Sequence, residues 1–149
     1  LLIDCIDAIY EDFSKHLKEV SDEEIRQGHS PILAFYKKLQ EDGKIYRVLS
    51  TSRAGHLLMK RLIELFAERI QVQLEARFPT EQFMAPLEII SYHIASAQIG
   101  LTSWWIENDQ PYPPEYMAQI SFWLNMAGSA RGFGLEEFSL PAPEIPDAV

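Results

Sequence analysis

This chain of 149 residues has a single cysteine, lacks common enzyme motifs, and has few basic residues in its second half. Its one cysteine, Cys5, excludes an internal disulfide and fits a reducing compartment, so we expect a cytoplasmic protein. Residues 1–77 hold 12 basic and 13 acidic residues, whereas residues 78–149 hold one basic residue, Arg131, and nine acidic ones. With a net charge of −9 and no basic stripe, the chain is not expected to bind nucleic acid directly.

No stretch of the sequence alternates apolar and polar residues for long enough to predict a half-buried strand, so no sheet is predicted. Apolar residues instead recur at spacings of three and four, which is typical of helices with one buried side. This periodicity predicts long helices over residues 2–20, 53–77, 86–108 and 114–128. The predicted fold class is therefore all-α, an antiparallel bundle of about five to six helices.

Capping residues and glycines predict the shorter elements. Ser21 and Glu24 form a capping box for a brief turn that ends at Gly28. A further helix begins at Ser30, which precedes a proline, and Gly43 is expected to stop or bend it before a brief helix at 44–49. Thr80 is a candidate cap for a short segment. We predict one folded domain over residues 1–135 and a loosely ordered, acidic, proline-rich tail over 136–149.

Membrane insertion and secretion are not favoured. Residues 89–106 carry no formal charge, but they include six polar residues, so we expect a helix buried in protein. The N-terminus does not resemble a signal peptide. The helical pattern is already present at residue 1 and the chain does not begin with methionine, so we interpret it as a fragment of a longer protein.

Catalytic motifs are missing as well. The sequence has no phosphate-binding Walker loop, dinucleotide glycine pattern, serine elbow or Cys-x-x-Cys pair, so we expect neither an enzyme nor a cofactor. The four histidines are too far apart for a metal site on one helix, and no metal is expected. The glycine-rich residues 128–134 suit either a phosphate cradle or the fraying end of a helix, and we favour the helix end.

Several aromatic and polar residues are candidates for a ligand pocket. His56 and His93 lie in long helices among apolar residues, which suits either core histidines or polar anchors in an apolar pocket. Tyr36 and Tyr46 have the same two interpretations. The full set of candidate ligand-binding residues is Tyr36, Tyr46, His56, Met59, Phe66 and His93.

The last two predicted helices contain an unusual pattern of small and large side chains. Ser96, Gly100 and Ser103 line up small residues one turn apart, which allows close approach of another helix from this chain or from a second copy. The nearby aromatics (Trp104, Trp105, Phe122, Trp123) exceed what the core of one small domain needs, which favours a dimer. The candidate interface residues are Ser96, Gly100, Ser103, Trp104, Ile120, Trp123 and Leu124.

Three short motifs resemble the C-terminal domain of TetR-family (tetracycline-repressor-like) transcriptional regulators. They are Ile-Gly-Leu at residues 99–101, Trp-Trp-Ile-Glu-Asn at 104–108, and Pro-Glu-Tyr-Met-Ala at 114–118 after a proline-bearing loop. A weaker similarity covers residues 31–49. The resemblance extends over roughly residues 4–128, but its specificity is concentrated in 99–118.

The resemblance implies a regulatory domain that forms a homodimer through its last two helices and binds a small-molecule effector. In this family an N-terminal helix-turn-helix domain binds DNA, and the present chain has no counterpart of it. An effector bound among the earlier helices would tilt the helix over residues 2–20 and change the spacing of two DNA-reading helices. Two alternatives stay open: a helical dimerisation or protein-interaction module without a ligand, and, less favoured, an all-α enzyme.

Overall fold

The structure is a computed structural model. It describes residues 32–130 without a break, together with Asp4, Asp7, Ala8, Tyr10, Glu11, Glu23, Glu24, Ser30, Gly134, Leu135, Pro141 and residues 143–147.

Four α-helices and one short 3-10 helix form the continuous part. They are α1 (Leu33–Thr51), α2 (Gly55–Arg77), the 3-10 helix (Thr80–Gln82), α3 (Leu87–Glu107) and α4 (Pro114–Ser129). The described residues contain no strand, and the all-α prediction is confirmed. The predicted bounds of α2, α3 and α4 are correct to within two residues, because prolines and long apolar stripes mark them.

The prediction that Gly43 stops a helix was wrong, since α1 runs through it without a break. Gly43 is buried, and a Cβ added there would lie 2.6 Å from the Gln110 side-chain Nε2. Glycine here lets α1 approach the loop that follows α3. The predicted brief helix over 44–49 is therefore the second half of α1. Thr80 opens the 3-10 helix without a side-chain cap.

The start of α1 confirms the role of Ser30. Its Oγ accepts a hydrogen bond from the Ile32 backbone N–H at 3.3 Å, and its carbonyl accepts one from the Leu33 N–H at 3.1 Å.

Most of the predicted helix over 2–20 and of the turn over 21–28 lies outside the described residues. The described residues within them are helical, and two of them dock on α2. Tyr10 donates to the Leu65 carbonyl at 3.1 Å, and Arg61 donates to Asp7 at 3.0 Å.

The main core lies where α1, α2, α3 and α4 meet. Helix α2 packs along α3 over the largest contact, while α1 touches α2, α3 and α4. Phe35, Tyr36 and Leu39 of α1 pack with Leu58, Leu62 and Phe66 of α2 in this cluster. A smaller cluster of Leu74, Ile90 and Ile94 joins the end of α2 to the start of α3. Within the described residues, no helix has the length and apolarity needed to cross a membrane.

Candidate functional site

A small cavity lies in the main core between α1, α2 and α3. Its volume is about 30 Å³. All its lining residues are uncharged, and only three carry a hydroxyl group. They are Phe35, Leu39, Tyr46, Leu58, Met59, Leu62, Ile99, Thr102, Ser103 and Ile106. A volume of this size holds a water molecule or a methyl group, whereas pockets for drug-sized ligands measure about 300–1,000 Å³.

The cavity collects some of the candidate ligand-binding residues and not others. Tyr46 and Met59 line it. Tyr36 and Phe66 are buried in the same core cluster without lining the cavity. His56 and His93 are exposed on the surface of the chain, so the prediction that they lie inside was wrong. An apolar neighbourhood in sequence does not decide on which side of a helix a histidine lies.

A chain of buried polar groups borders the cavity, and the sequence prediction did not include it as a site. The hydroxyl of Tyr36 accepts a hydrogen bond from Gln98 Nε2 at 3.0 Å and lies 3.5 Å from Thr102 Oγ1. Thr102 donates to the Gln98 carbonyl at 2.8 Å, and Asn125 Nδ2 donates to Gln98 Oε1 at 3.4 Å. These side chains therefore connect α1, α3 and α4. The available signal was the pair Gln98 and Thr102, two polar residues one turn apart in a run without formal charge.

Burial raises the pKa of the Tyr36 phenol above its usual value of 10.0, while hydrogen bonds with Thr102, Ser121 and Gln98 act in the opposite direction. Desolvation is the larger effect because the ionised phenolate loses its hydration in the core. Tyr36 is therefore protonated at neutral pH, and its hydroxyl accepts the hydrogen bond from Gln98 Nε2.

The adjacent tryptophans at the end of α3 have different environments. Trp105 is 0% exposed, its ring packs edge-on against Tyr36 at a centroid distance of 5.3 Å, and its Nε1 donates to the Tyr112 carbonyl at 2.9 Å. Trp104 is 44% exposed. Trp105 therefore anchors the loop between α3 and α4 to the core, and Trp104 is part of the outer surface.

The loop after α3 is held against α1 by polar contacts. Arg47 donates to the Ile106 carbonyl at 2.6 Å and to the Asp109 carboxylate at 2.7 Å. Asp109 and Gln110 have positive φ angles of 60° and 53°, and the Gln110 N–H caps α3 by donating to the Trp105 carbonyl at 2.8 Å. Gln110 Nε2 also donates to the Leu39 carbonyl at 3.3 Å. These contacts fix the angle at which α4 leaves α3.

The outward side of α3 is uncharged. Residues 89–106 contain no Asp, Glu, Lys or Arg, and Gly100 and Trp104 are exposed on this helix. A Cβ at Gly100 would meet no atom within 4 Å in the part of the chain that the structure describes. No contact described within the chain therefore requires glycine there. Ser96 is half-buried, and Ser103 lines the cavity.

Helix α4 is likewise uncharged over most of its length. Residues 116–130 are also free of Asp, Glu, Lys and Arg. Leu124 is exposed and 51% accessible, while Ile120 and Trp123 are half-buried. We call the outward residues of α3 and α4 (Ser96, Gly100, Trp104, Ile120, Trp123 and Leu124) the uncharged face.

Metal-ligating side chains are not clustered in the part of the chain that the structure describes. Among the described residues, no group of three His, Cys, Asp or Glu side chains is close enough to hold a metal ion. The glycine-rich residues 128–134 begin inside α4, and the Leu135 N–H donates to the Ala130 carbonyl at 2.9 Å. Gly134, with a φ of 78°, packs against the Gln82 carbonyl. This geometry favours a helix end; Arg131, Gly132 and Phe133 lie outside the described residues.

Comparison with known proteins identifies the family. A family model of the TetR type, described as a transcriptional regulator C-terminal region, matches residues 26–125. No curated protein and no solved structure is similar enough to count as a match. The matched region covers α1, α2, α3 and most of α4, including the cavity and all six residues of the uncharged face. The chain therefore belongs to the TetR-type family of transcriptional regulator C-terminal regions.

Proposed function

We propose that this transcriptional regulator domain dimerises through the uncharged face and binds a small-molecule effector in the cavity among α1, α2 and α3. In this proposal it controls DNA binding by a helix-turn-helix domain of the parent regulator. The observation that carries the proposal is that residues 89–106 of α3 and 116–130 of α4 contain no Asp, Glu, Lys or Arg in a strongly acidic chain.

The charge distribution supports a self-contact at this face. Two copies with a net charge of −9 repel each other, so a stable homodimer needs a contact that brings few acidic side chains together. Aromatic residues are enriched in interfaces and charged ones are depleted, which is the composition of α3 and α4 around Trp104 and Trp123. Gly100 would allow the partner's helix to approach closely.

A two-fold dimer explains how the domain would act on DNA. One surface serves both protomers in such a dimer, so α3 and α4 of each copy would form a four-helix contact. Dimerisation would place two DNA-reading helices about 34 Å apart, or a multiple of this distance. An effector that changes the distance between the two DNA-reading helices would weaken DNA binding. The coupling free energy between the effector site and the DNA-binding site needs to be only about 1–3 kcal/mol.

Replacing Gly100 by leucine tests the interface. Each protomer would add a bulky side chain at the contact, and overpacking costs about 1–3 kcal/mol per site. Because the two-fold axis doubles the effect, we expect the dimer dissociation constant to rise by at least about thirtyfold. Sedimentation equilibrium over a range of concentrations measures it.

Ala76→Leu is the matched control, since Ala76 is exposed on α2 and is not one of the residues of the uncharged face. We expect this variant to dimerise like the wild type. A Gly100→Leu protein with the wild-type dissociation constant would show that the two copies do not meet at Gly100.

The lining of the cavity supports an uncharged, mainly apolar effector, because all ten lining residues are uncharged. At about 30 Å³ the cavity must expand to take one. Met59 is flexible and Tyr46 is half-buried, so these two side chains are the ones we expect to move. Native mass spectrometry of the purified chain tests this: a dimer with a stoichiometric extra mass is expected, and the mass should be lost in Leu58→Phe, which fills the cavity.

A module that dimerises without a ligand is the second candidate function, and the small volume of the cavity favours it. Protein cores normally leave few voids larger than a water molecule. A dimer that carries no extra mass after gentle purification, and whose melting temperature does not respond to small uncharged aromatic compounds, would support this second function.

A further inference from the structure

We propose that Thr102 is the positioning residue through which occupation of the cavity reaches α4. It would act through Tyr36, Gln98 and Asn125, and we call these four residues the relay. This inference rests on the proposed function, because it assigns a regulatory path to the same cavity. It adds the atoms that carry the signal, and it requires that the effector has a hydrogen-bonding group.

Thr102 belongs to both the cavity and the relay. It is one of the three cavity-lining residues with a hydroxyl group. The same residue is buried, donates to the Gln98 carbonyl at 2.8 Å, and accepts from Gln98 Nε2 at 3.3 Å. Its Oγ1 also lies 3.5 Å from the Tyr36 hydroxyl. A change on the cavity side of Thr102 therefore acts directly on side chains outside the cavity.

The one hydrogen of the Thr102 hydroxyl is already in use. A threonine hydroxyl has one hydrogen to donate and two lone pairs that accept. The hydrogen goes to the Gln98 carbonyl at 2.8 Å, with the Tyr36 hydroxyl as a more distant acceptor at 3.5 Å, and one lone pair accepts from Gln98 Nε2 at 3.3 Å. An effector group that accepts the hydrogen of Thr102 therefore turns this hydroxyl away from the Gln98 carbonyl, and with it the lone pair that Gln98 Nε2 uses.

Gln98 converts this rotation of the hydroxyl into a change at α4. Its amide is planar, so Nε2 and Oε1 move together when the group rotates. Nε2 donates to Tyr36 and Thr102 on one side, and Oε1 accepts from Asn125 of α4 at 3.4 Å on the other. Loss of the Thr102 bond lets the amide turn, which weakens the bond to Asn125.

Ser103 provides the internal comparison. It lines the same cavity, but its hydroxyl donates to the Ile99 carbonyl of its own helix at 3.0 Å, and its other described partner is Met59 Sδ at 4.0 Å. These contacts reach α3 and α2. Removing the Ser103 hydroxyl therefore changes the polarity of the cavity without breaking the relay.

A double-mutant cycle between Thr102 and Asn125 tests the relay without any ligand. Thr102→Val removes the hydroxyl at nearly constant shape, and Asn125→Ala removes the donor from α4. Each substitution changes the equilibrium constant of unfolding by some factor. Because members of a hydrogen-bond network are not independent, the factor for the double variant should differ by about threefold or more from the product of the two single factors. The same cycle with Ser103→Ala in place of Thr102→Val should agree with the product to within about twofold.

Hydrogen exchange provides a readout that a general loss of stability would not reproduce. In Thr102→Val, amides of α4 should lose protection relative to amides of α2, whereas Ser103→Ala should leave this ratio unchanged. Thr102→Ser keeps the hydroxyl and should restore the protection of α4. It also serves as the second variant if Thr102→Val does not fold.

The relay would be overturned by an additive Thr102–Asn125 cycle, by equal loss of protection in α2 and α4, or by failure of Thr102→Ser to restore α4. These measurements need neither an effector nor a dimer. If these measurements support the relay but native mass spectrometry finds no ligand, only the effector hypothesis is contradicted. If a ligand is found but the measurements do not support the relay, only the relay is contradicted.

Discussion

Replacing Trp105 by phenylalanine should destabilise the folded chain by about 2–4 kcal/mol, whereas Trp104→Phe should change its stability by less than about 1 kcal/mol. The two residues are adjacent and chemically identical, so their different environments are the cause of the difference. Trp105 is 0% exposed and Trp104 is 44% exposed. This pair of substitutions tests the inside and outside assignment of the Trp-Trp motif.

Two contributions make up the expected loss at Trp105. Phenylalanine cannot replace the indole N–H that donates to the Tyr112 carbonyl at 2.9 Å, and a carbonyl that loses its partner in the interior costs about 1–3 kcal/mol. The smaller ring also leaves a void of roughly 40 Å³, which at about 24 cal/mol per Å³ adds about 1 kcal/mol. The edge-to-face packing on Tyr36 is partly retained because phenylalanine is aromatic.

Urea unfolding followed by far-ultraviolet circular dichroism is the suitable assay, because the helix signal does not depend on the tryptophan being replaced. Both variants should be measured at several protein concentrations, since the apparent stability of a dimer depends on concentration. The loss at Trp105 should be the same at every concentration. Any loss at Trp104 should be confined to concentrations at which the wild-type chain is dimeric.

Equal destabilisation by the two substitutions at all concentrations would refute this reasoning. It would mean that Trp104 is as important to the folded monomer as Trp105. The aromatic composition of the uncharged face would then be explained by packing within the chain, and the proposed dimer would lose its main support.

Three further predictions concern α1 and the tail. Gly43→Ala should not give the usual helix gain of about 1 kcal/mol, because the added Cβ meets Gln110; the gain should return in a Gln110→Ala background, as measured by urea unfolding. A full gain in the single variant would contradict this contact. Burial raises the pKa of Tyr36, so the unfolded chain releases that proton first and stability falls as the pH rises above about 10. In Tyr36→Phe the free energy of unfolding, measured by urea titration, should fall less steeply between about pH 9 and about pH 11. An unchanged dependence on pH would contradict the raised pKa of Tyr36 as the cause. Deleting the tail from Glu136 should shift the melting temperature by less than about 2 °C, because Leu135, which packs on the core, is kept; a larger loss would mean that the tail contributes to the fold.

The candidate site was predictable only in part from the sequence. Tyr46 and Met59 line the cavity as the apolar and aromatic pattern of the first helices suggested. The expectation that His56 and His93 lie inside failed, because side-chain burial depends on how each helix is rotated against its neighbours. At the level of the sequence, Thr102 is one of six polar residues in the uncharged run over 89–106, and nothing local indicates its contact with Tyr36, which is 66 positions away.

Local rules determined the helices of this protein. Ser30, the prolines that precede α3 and start α4, and the apolar spacing along α2 act within a few residues, so the sequence alone identifies where these elements begin and end. The same sequence shows that residues 89–106 and 116–130, which make up most of the last two helices, contain no Asp, Glu, Lys or Arg. These features depend on backbone geometry and composition, which need no knowledge of distant contacts.

Tertiary packing decided the rest. Gly43 could be assigned as a close contact rather than a helix stop only once the loop carrying Gln110 was in place against α1. Neither does the sequence distinguish Trp104 from Trp105, because one residue step turns a helix by about 100° and the neighbouring helices select which ring is buried. The buried bonds among Tyr36, Gln98, Thr102 and Asn125 join three helices, so they exist only after those helices have packed.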